Sequence, residues 1–283
     1  MIRRAFAALT AVALLGACAG APLPAPHASG VPLDHLPVLK GQYFRIVSRE
    51  TKRPYHIYIR YPEGYSSAAA ERYPVVYLLD GDSLFPLLAA SHLFLHYDEQ
   101  LPEAIVVGIA YGSFDPAVNQ RDVDYTGPAE GLAPEKAGAA AFQRFLKSEL
   151  LPEVEGRTRA DPARRILFGQ SRGGSFVLYS AFTDPDLFWG RIASNPNIDI
   201  GRALFFGPPA AGSRSDLALV VTSASRDRPR LREGALAWFK AWQGRTDAPW
   251  AIETRTIEDA THAADAPRSY RAGMLWLFRR QAR

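Results

Sequence analysis

Apolar residues along the chain fall into short unbroken runs separated by longer stretches of helical spacing. Residues 75–79 and 104–110 are continuous apolar runs, the pattern of strands covered on both faces. Residues 166–168, 217–222 and 250–256 are further strand-like runs. Upstream, residues 43–47 and 55–61 alternate apolar and polar positions and predict an antiparallel pair, with His56 facing solvent or packing locally. Helical spacing covers residues 137–151, with Ala141, Phe145, Leu146 and Leu150 on one side and a predicted end at Pro152. It returns at 175–182, 231–242 and 266–280. The aromatic residues of the last two segments (Trp238, Phe239, Trp242, Trp276 and Phe278) read as core. Strands alternating with helices predict an α/β fold with a mainly parallel sheet and helices on both faces. Residues 111–134, with Gly112, Pro116, Gly127 and Pro128, form a long loop after a strand. Such loops lie at the carboxyl edge of the sheet, where ligands bind. Arg121, Asp124 and Tyr125 are the substrate-contact candidates there; a salt-bridged surface loop is the other reading.

The chemistry concentrates where one run ends. Ile166-Leu167-Phe168 leads into Gly169-Gln170-Ser171-Arg172-Gly173, and a helical segment follows. Strand, sharp turn and helix put Ser171 at an apex. Small residues two positions to either side let strand and helix approach closely, and the helix N-terminus points its N–H groups at the serine hydroxyl. A glycine- and serine-rich loop would share the motif without the flanking strand and helix.

A serine nucleophile needs a base. In hydrolases built this way the chain order is nucleophile, acid, histidine. Of six histidines only His262 follows Ser171, on a loop beyond the strand at 250–256. For the acid, Asp227 lies just past the strand at 217–222, among Arg226, Arg228 and Arg230. Glu258 and Asp259 compete with it, and a serine–histidine dyad is the alternative. An oxyanion hole needs two backbone donors. Arg172, directly after the nucleophile, supplies one N–H, and Asp82, with Gly81 permitting the turn, is the expected source of the other. Asp-Gly also suits an ordinary hairpin turn. The Arg172 side chain starts beside the same pocket, where it would favour an anionic substrate, unless its charge lies in bulk water.

Four segments carry a resemblance: Tyr-Pro-Val-Val-Tyr-Leu-Leu-Asp-Gly-Asp at 73–82, Gly-Gln-Ser-Arg-Gly-Gly at 169–174, Asp-Pro-Asp-Leu-Phe at 184–188, and Ala-Thr-His at 260–262 ahead of Leu-Trp-Leu-Phe at 275–278. Over residues 42–278 the chain resembles the esterase D-type esterases of the α/β-hydrolase fold. That family includes trilactone siderophore esterases such as enterobactin esterase, S-formylglutathione hydrolases, and acetyl and feruloyl esterases. The resemblance implies Ser171 as nucleophile, His262 as base and, on a weaker match, Asp227 as acid. It implies an acyl-enzyme route with no cofactor. Where family members often show Ser-Pro-Ser, this chain has Asn195-Pro196-Asn197, so the substrate does not follow from the likeness.

Composition adds an address. The chain has 283 residues, 47% hydrophobic and 22% charged, enough for one catalytic domain with a sizeable core. The net charge of +4 includes Arg3 and Arg4 of the leader and is too scattered for nucleic acid. No metal-ligand spacing occurs. Residues 1–17 read as a lipoprotein-type signal: a basic start, an apolar stretch, then Leu15-Gly16-Ala17 before Cys18, the one cysteine. Cys18 is the expected lipidation site; a plain secretory signal cut near Ala19 or Ala21 is the alternative. Residues 18–36, rich in proline, read as a flexible tether, and 37–283 as the catalytic domain. The expected location is the periplasmic face of a bacterial membrane, the outer one by the residue after Cys18. Export argues against S-formylglutathione as substrate and leaves siderophore lactones, short acyl esters and hydroxycinnamoyl esters. The expected partners are a small-molecule ester and, through the lipid, a membrane. An acyltransferase and a non-catalytic envelope lipoprotein are the other functional classes.

Overall fold

The computed structural model describes residues 31–33 and 36–281. The signal at 1–17, Cys18 and most of the tether lie outside the described residues. The first half of the chain forms β1 (Val31–Leu33), β2 (Gly41–Val47), β3 (Pro54–Arg60), β4 (Tyr73–Leu78), α1 (Gly81–Glu99), β5 (Ile105–Ala110), α2 (Arg121–Asp124), α3 (Ala139–Phe145) and α4 (Leu151–Arg157). The second half forms β6 (Ala160–Gln170), α5 (Arg172–Thr183), β7 (Gly190–Ser194) and α6 (Arg202–Phe205). It ends with β8 (Ala218–Ala224), α7 (Pro229–Trp242), β9 (Ala251–Ile257) and α8 (Ala266–Gln281).

All strands join one sheet in the order β1-β2-β3-β5-β4-β6-β7-β8-β9. The first three strands run antiparallel, and β3 also pairs antiparallel with β5. From β5 through β9 every pairing is parallel. Strands β4, β5, β7 and β8 are buried at every position, which is why β4, β5 and β8 read as apolar runs. Alternation divides β4 between two cores. Val75, Tyr77 and Leu79 face the core that contains residues of α3, α4, α5 and α7; Val76 and Leu78 face the one built on α1 and α8. Trp238, Phe239, Trp242 and Phe278 are buried in these cores, and Trp276 packs against the second.

Several elements differ from the sequence expectation, each for a physical reason. The helix predicted over 137–151 does not stop at Pro152. A wide π-type turn at Leu146–Leu150 follows α3, and Pro152 falls in the first turn of α4, where its missing N–H costs nothing. Helix α1 was not legible. It contains Pro86, and its apolar residues spread around the barrel instead of forming one stripe. Strand β7 was masked by Arg191, a charge in mid-strand. That guanidinium is fully buried and donates to the carbonyls of Asp184 (2.7 Å), Pro185 (2.8 Å), Phe188 (2.9 Å) and Ser180 (3.3 Å). These oxygens belong to the end of α5 and the turn after it, so the cation caps a helix C-terminus from inside the core. Burial pulls its pKa down to about 9. Val31–Leu33, in the segment read as tether, pairs with β2 at the sheet edge. His56 packs locally, its Nδ1 2.6 Å from the Tyr43 hydroxyl.

His92 of α1 is fully buried between α1 and α8. The Pro102 carbonyl lies 3.2 Å from its Nε2 and the Tyr270 hydroxyl 2.9 Å from its Nδ1. A neutral ring satisfies both by donating from Nε2 and accepting at Nδ1. Burial, with Arg60 nearby, lowers its pKa from 6.5 to about 4. Between those values the unfolded chain binds the proton and the folded chain does not, so acidification favours unfolding. The contribution is fully present above pH 6.5 and is lost as the pH falls to about 4, a total of about 3 kcal/mol. Unfolding free energy measured by urea titration across this window should fall less steeply with acid in His92→Gln than in the wild type. Equal slopes would show that His92 is not held neutral.

Candidate active site

The carboxyl ends of β4, β6, β8 and β9 meet on one side of the sheet. Ser171, between β6 and α5, has φ +57° and ψ −118°, a left-handed conformation that non-glycine residues adopt only when surroundings enforce it. Enforcement is visible in the glycines. A Cβ at Gly169 would lie 2.4 Å from the Gly173 carbonyl oxygen, and one at Gly174 2.9 Å from that of Ser194. Strand and helix therefore approach as no side chain would allow. The Ser171 N–H donates to the Ser194 carbonyl at 2.9 Å, which ties the apex to the end of β7.

His262 arrives on the loop after β9. Its Nε2 is 2.9 Å from Ser171 Oγ and its Nδ1 is 2.9 Å from Asp227 Oδ2. The Asp227 side chain is only 1% exposed, while Arg226, Arg228 and Arg230 on either side of it are exposed. Its other oxygen accepts the Arg228 N–H at 2.6 Å. A buried carboxylate so held fixes the ring with Nδ1 protonated and leaves Nε2 free to accept from the serine. Glu258 and Asp259 are exposed and do not bond the ring.

The turn after β4 supplies the opposite wall. Gly81 packs its backbone on β5, where a Cβ would lie 2.7 Å from the Ile109 nitrogen. The Asp82 carboxylate accepts the N–H groups of Tyr111 (2.8 Å) and Gly112 (2.7 Å), so its side chain is committed to the next strand end. The Asp82 main chain lies in the first turn of α1, where the N–H groups of Ser83 and Leu84 donate to the Asp80 carbonyl and those of Gly81 and Asp82 precede any intrahelical acceptor. Arg172 opens α5 in the same way. Two unpaired donor sets thus flank the serine.

The cleft between these walls has a volume of about 280 Å³ and is lined by Asp80, Asp82, Ser83, Leu84, Phe114, Asn119, Arg121, Gln170, Ser171, His262 and Ala263. Phe114 is 75% exposed at its mouth. The sequence candidates divide here. Arg121 lines the cleft, but its guanidinium is bidentate to Asp80, at 2.7 and 3.0 Å. Tyr125 is buried, and its hydroxyl accepts the Asp80 N–H at 3.2 Å. Asp124 is buried among Arg53, Tyr55 and Tyr111, away from the lining. The Arg172 side chain turns from the cleft to Asp122 (2.8 Å) and the Thr126 hydroxyl (2.9 Å).

Sequence reasoning did not single out Asp80, Gln170 or Asn195. Asp80 meets an arginine 41 positions away, which no local pattern announces. Gln170 sits inside the serine motif at a variable position, yet its amide donates to the carbonyls of His262 and Ala263. Asn195 follows the strand hidden by Arg191. Among the described residues no group of three or more His, Cys, Asp or Glu side chains could hold a metal ion.

Comparison with known proteins bears on the family. A family model described as Putative esterase matches residues 48–276. The chain is 36% identical over 167 residues to the ferri-bacillibactin esterase BesA of Bacillus subtilis, covering 53% of this chain and 56% of that one. It is 31% identical over 159 residues to the siderophore triacetylfusarinine C esterase of Aspergillus fumigatus, covering 51% and 52%. These alignments span about half the length of the curated relatives. Among solved structures, an IroE-like serine hydrolase from Shewanella oneidensis superposes with a TM-score of 0.70 at 25% identity, covering 84% of this chain and 80% of that one. Fold and sequence match converge, and the chain belongs to the Putative esterase family.

Proposed function

We propose that this esterase hydrolyses siderophore esters through an acyl-enzyme on Ser171. The observation that carries the reading is the hydrogen-bonded line from Ser171 Oγ through the His262 ring to buried Asp227, with both contacts at 2.9 Å. His262 Nε2 takes the hydroxyl proton as Oγ attacks the ester carbonyl, and Asp227 stabilises the resulting imidazolium. The N–H groups of Arg172 and Asp82 hold the tetrahedral oxyanion. His262 then protonates the leaving alcohol, and water, deprotonated by the same ring, releases the acid. The named activities of the Bacillus and Aspergillus relatives support a siderophore ester as substrate. The leader and Cys18 support an exported, lipid-anchored enzyme at the cell envelope.

Ser171→Ala and His262→Ala should each reduce ester hydrolysis by roughly a thousandfold or more, and the double variant should be little worse than either, because the two act as one unit. Asp227→Asn should cost less than either single variant, and Glu258→Gln and Asp259→Asn almost nothing. Strictly multiplicative losses, or a dominant effect at Glu258 or Asp259, would overturn the assignment.

Substrate charge is a separate test. Arg121 is spent on Asp80 and Arg172 on Asp122 and Thr126, so neither guanidinium is reserved for an anion. The ratio of kcat/KM for an anionic ester to that for a neutral ester of similar size should change less than twofold in Arg172→Met. Arg121→Met should slow the neutral ester by roughly tenfold and the anionic ester more, because it leaves the Asp80 carboxylate in the cleft without its partner. A selective loss of the anionic ester in Arg172→Met would show that Arg172 reads substrate charge. For the envelope reading, mass spectrometry of the mature protein should find a diacylated Cys18 at the N-terminus; an unmodified start beyond residue 18 would refute it.

A further inference from the structure

The catalytic histidine is held twice: by its ring, and by its main-chain carbonyl. Asn195, at the end of β7, is 1% exposed and sits at φ +44°. Its Oδ1 accepts the Ala224 N–H at 2.6 Å, at the end of β8. Its Nδ2 donates to the His262 carbonyl at 3.2 Å and to Asp265 Oδ2 at 3.2 Å. Asp265 also accepts the Ser269 hydroxyl, which meets that of Thr222 at 2.8 Å. One amide thus links two strand ends, the residue that carries the base, and the head of α8. The amide nitrogen donates to two acceptors and the oxygen accepts a backbone N–H, and no hydrophobic side chain of the same size would reproduce these bonds.

We infer that Asn195 is a positioning residue for His262, setting through its carbonyl contact where the imidazole stands relative to Ser171. The inference rests on the reading of Ser171 and His262 as nucleophile and base. The ring's own contacts orient the imidazole, but they do not fix the loop that carries it. Gln170 grips the same carbonyl from β6, so the His262 main chain is suspended between the ends of β6 and β7. Misplacing a base by a fraction of an ångström impairs proton transfer while leaving the cleft intact. The effect therefore belongs in kcat and not in KM.

Two variants separate the contact from the backbone. Asn195→Asp keeps the shape and the acceptor for Ala224 but loses both donations. Asn195→Gly removes the side chain and suits the positive φ. With a neutral nitrophenyl ester, at a temperature where circular dichroism shows each variant fully folded, kcat should fall at least tenfold in both, with KM within threefold of wild type. The pair Asn195→Asp with Asp265→Asn again sets an amide against a carboxylate, so the melting temperature should recover. The His262 carbonyl keeps Gln170 but still lacks the Asn195 donor, so kcat should stay low. A kcat within twofold of wild type in either single variant, or recovery of kcat together with melting temperature in the pair, would overturn the positioning role. Full activity in Ser171→Ala would instead overturn the catalytic reading on which it rests.

Discussion

The close approach of β6 and α5 is the constraint on which the site depends. Backbone meets backbone where Gly169 faces Gly173, and this contact drives Ser171 into a left-handed conformation. Such a conformation costs of the order of 1–3 kcal/mol and persists only where packing over-determines it. Here the packing is the sheet itself, since the Ser171 N–H completes the ladder to β7. The strain lifts the hydroxyl clear of its strand and aims the first N–H groups of α5 at the same point. Relaxing it would separate nucleophile from donors even with every side chain unchanged.

Around that apex, polar groups are committed before any ligand arrives. Asp82 holds the strand end after β5, Arg121 holds Asp80, Tyr125 holds the Asp80 main chain, and Asp227 holds the ring of His262. Charges tied down in this way do not reorganise when the oxyanion forms, and this fixed polarity is the larger part of electrostatic catalysis. The same commitment explains why arginines beside the nucleophile are poor evidence for an anionic substrate.

What could be read from the chain divides by range. The parallel sheet was legible because β4, β5 and β8 are apolar at almost every position, and that pattern has few other meanings. The meeting of Ser171, Asp227 and His262 was legible from chain order and strand ends. Helix α1 was hidden by Pro86 and by apolar residues on several sides; β7 was hidden by a buried arginine whose acceptors are four main-chain carbonyls and the Ser180 hydroxyl. The destinations of Arg121, Arg172 and Asn195 were illegible for a common reason. Each side chain is satisfied by a group from another element, and sequence distance carries no trace of such a pairing.

The His92–Tyr270 contact joins α1 to α8 within the core. Helix α1 begins at the wall that carries Asp82, and α8 begins just after the loop that carries His262. A proton forced onto His92 would therefore loosen the proposed oxyanion donors and the base in one event. Acid acting through His92 would remove whole active centres from the population. Activity lost by this route would accordingly develop with time and follow the number of intact sites.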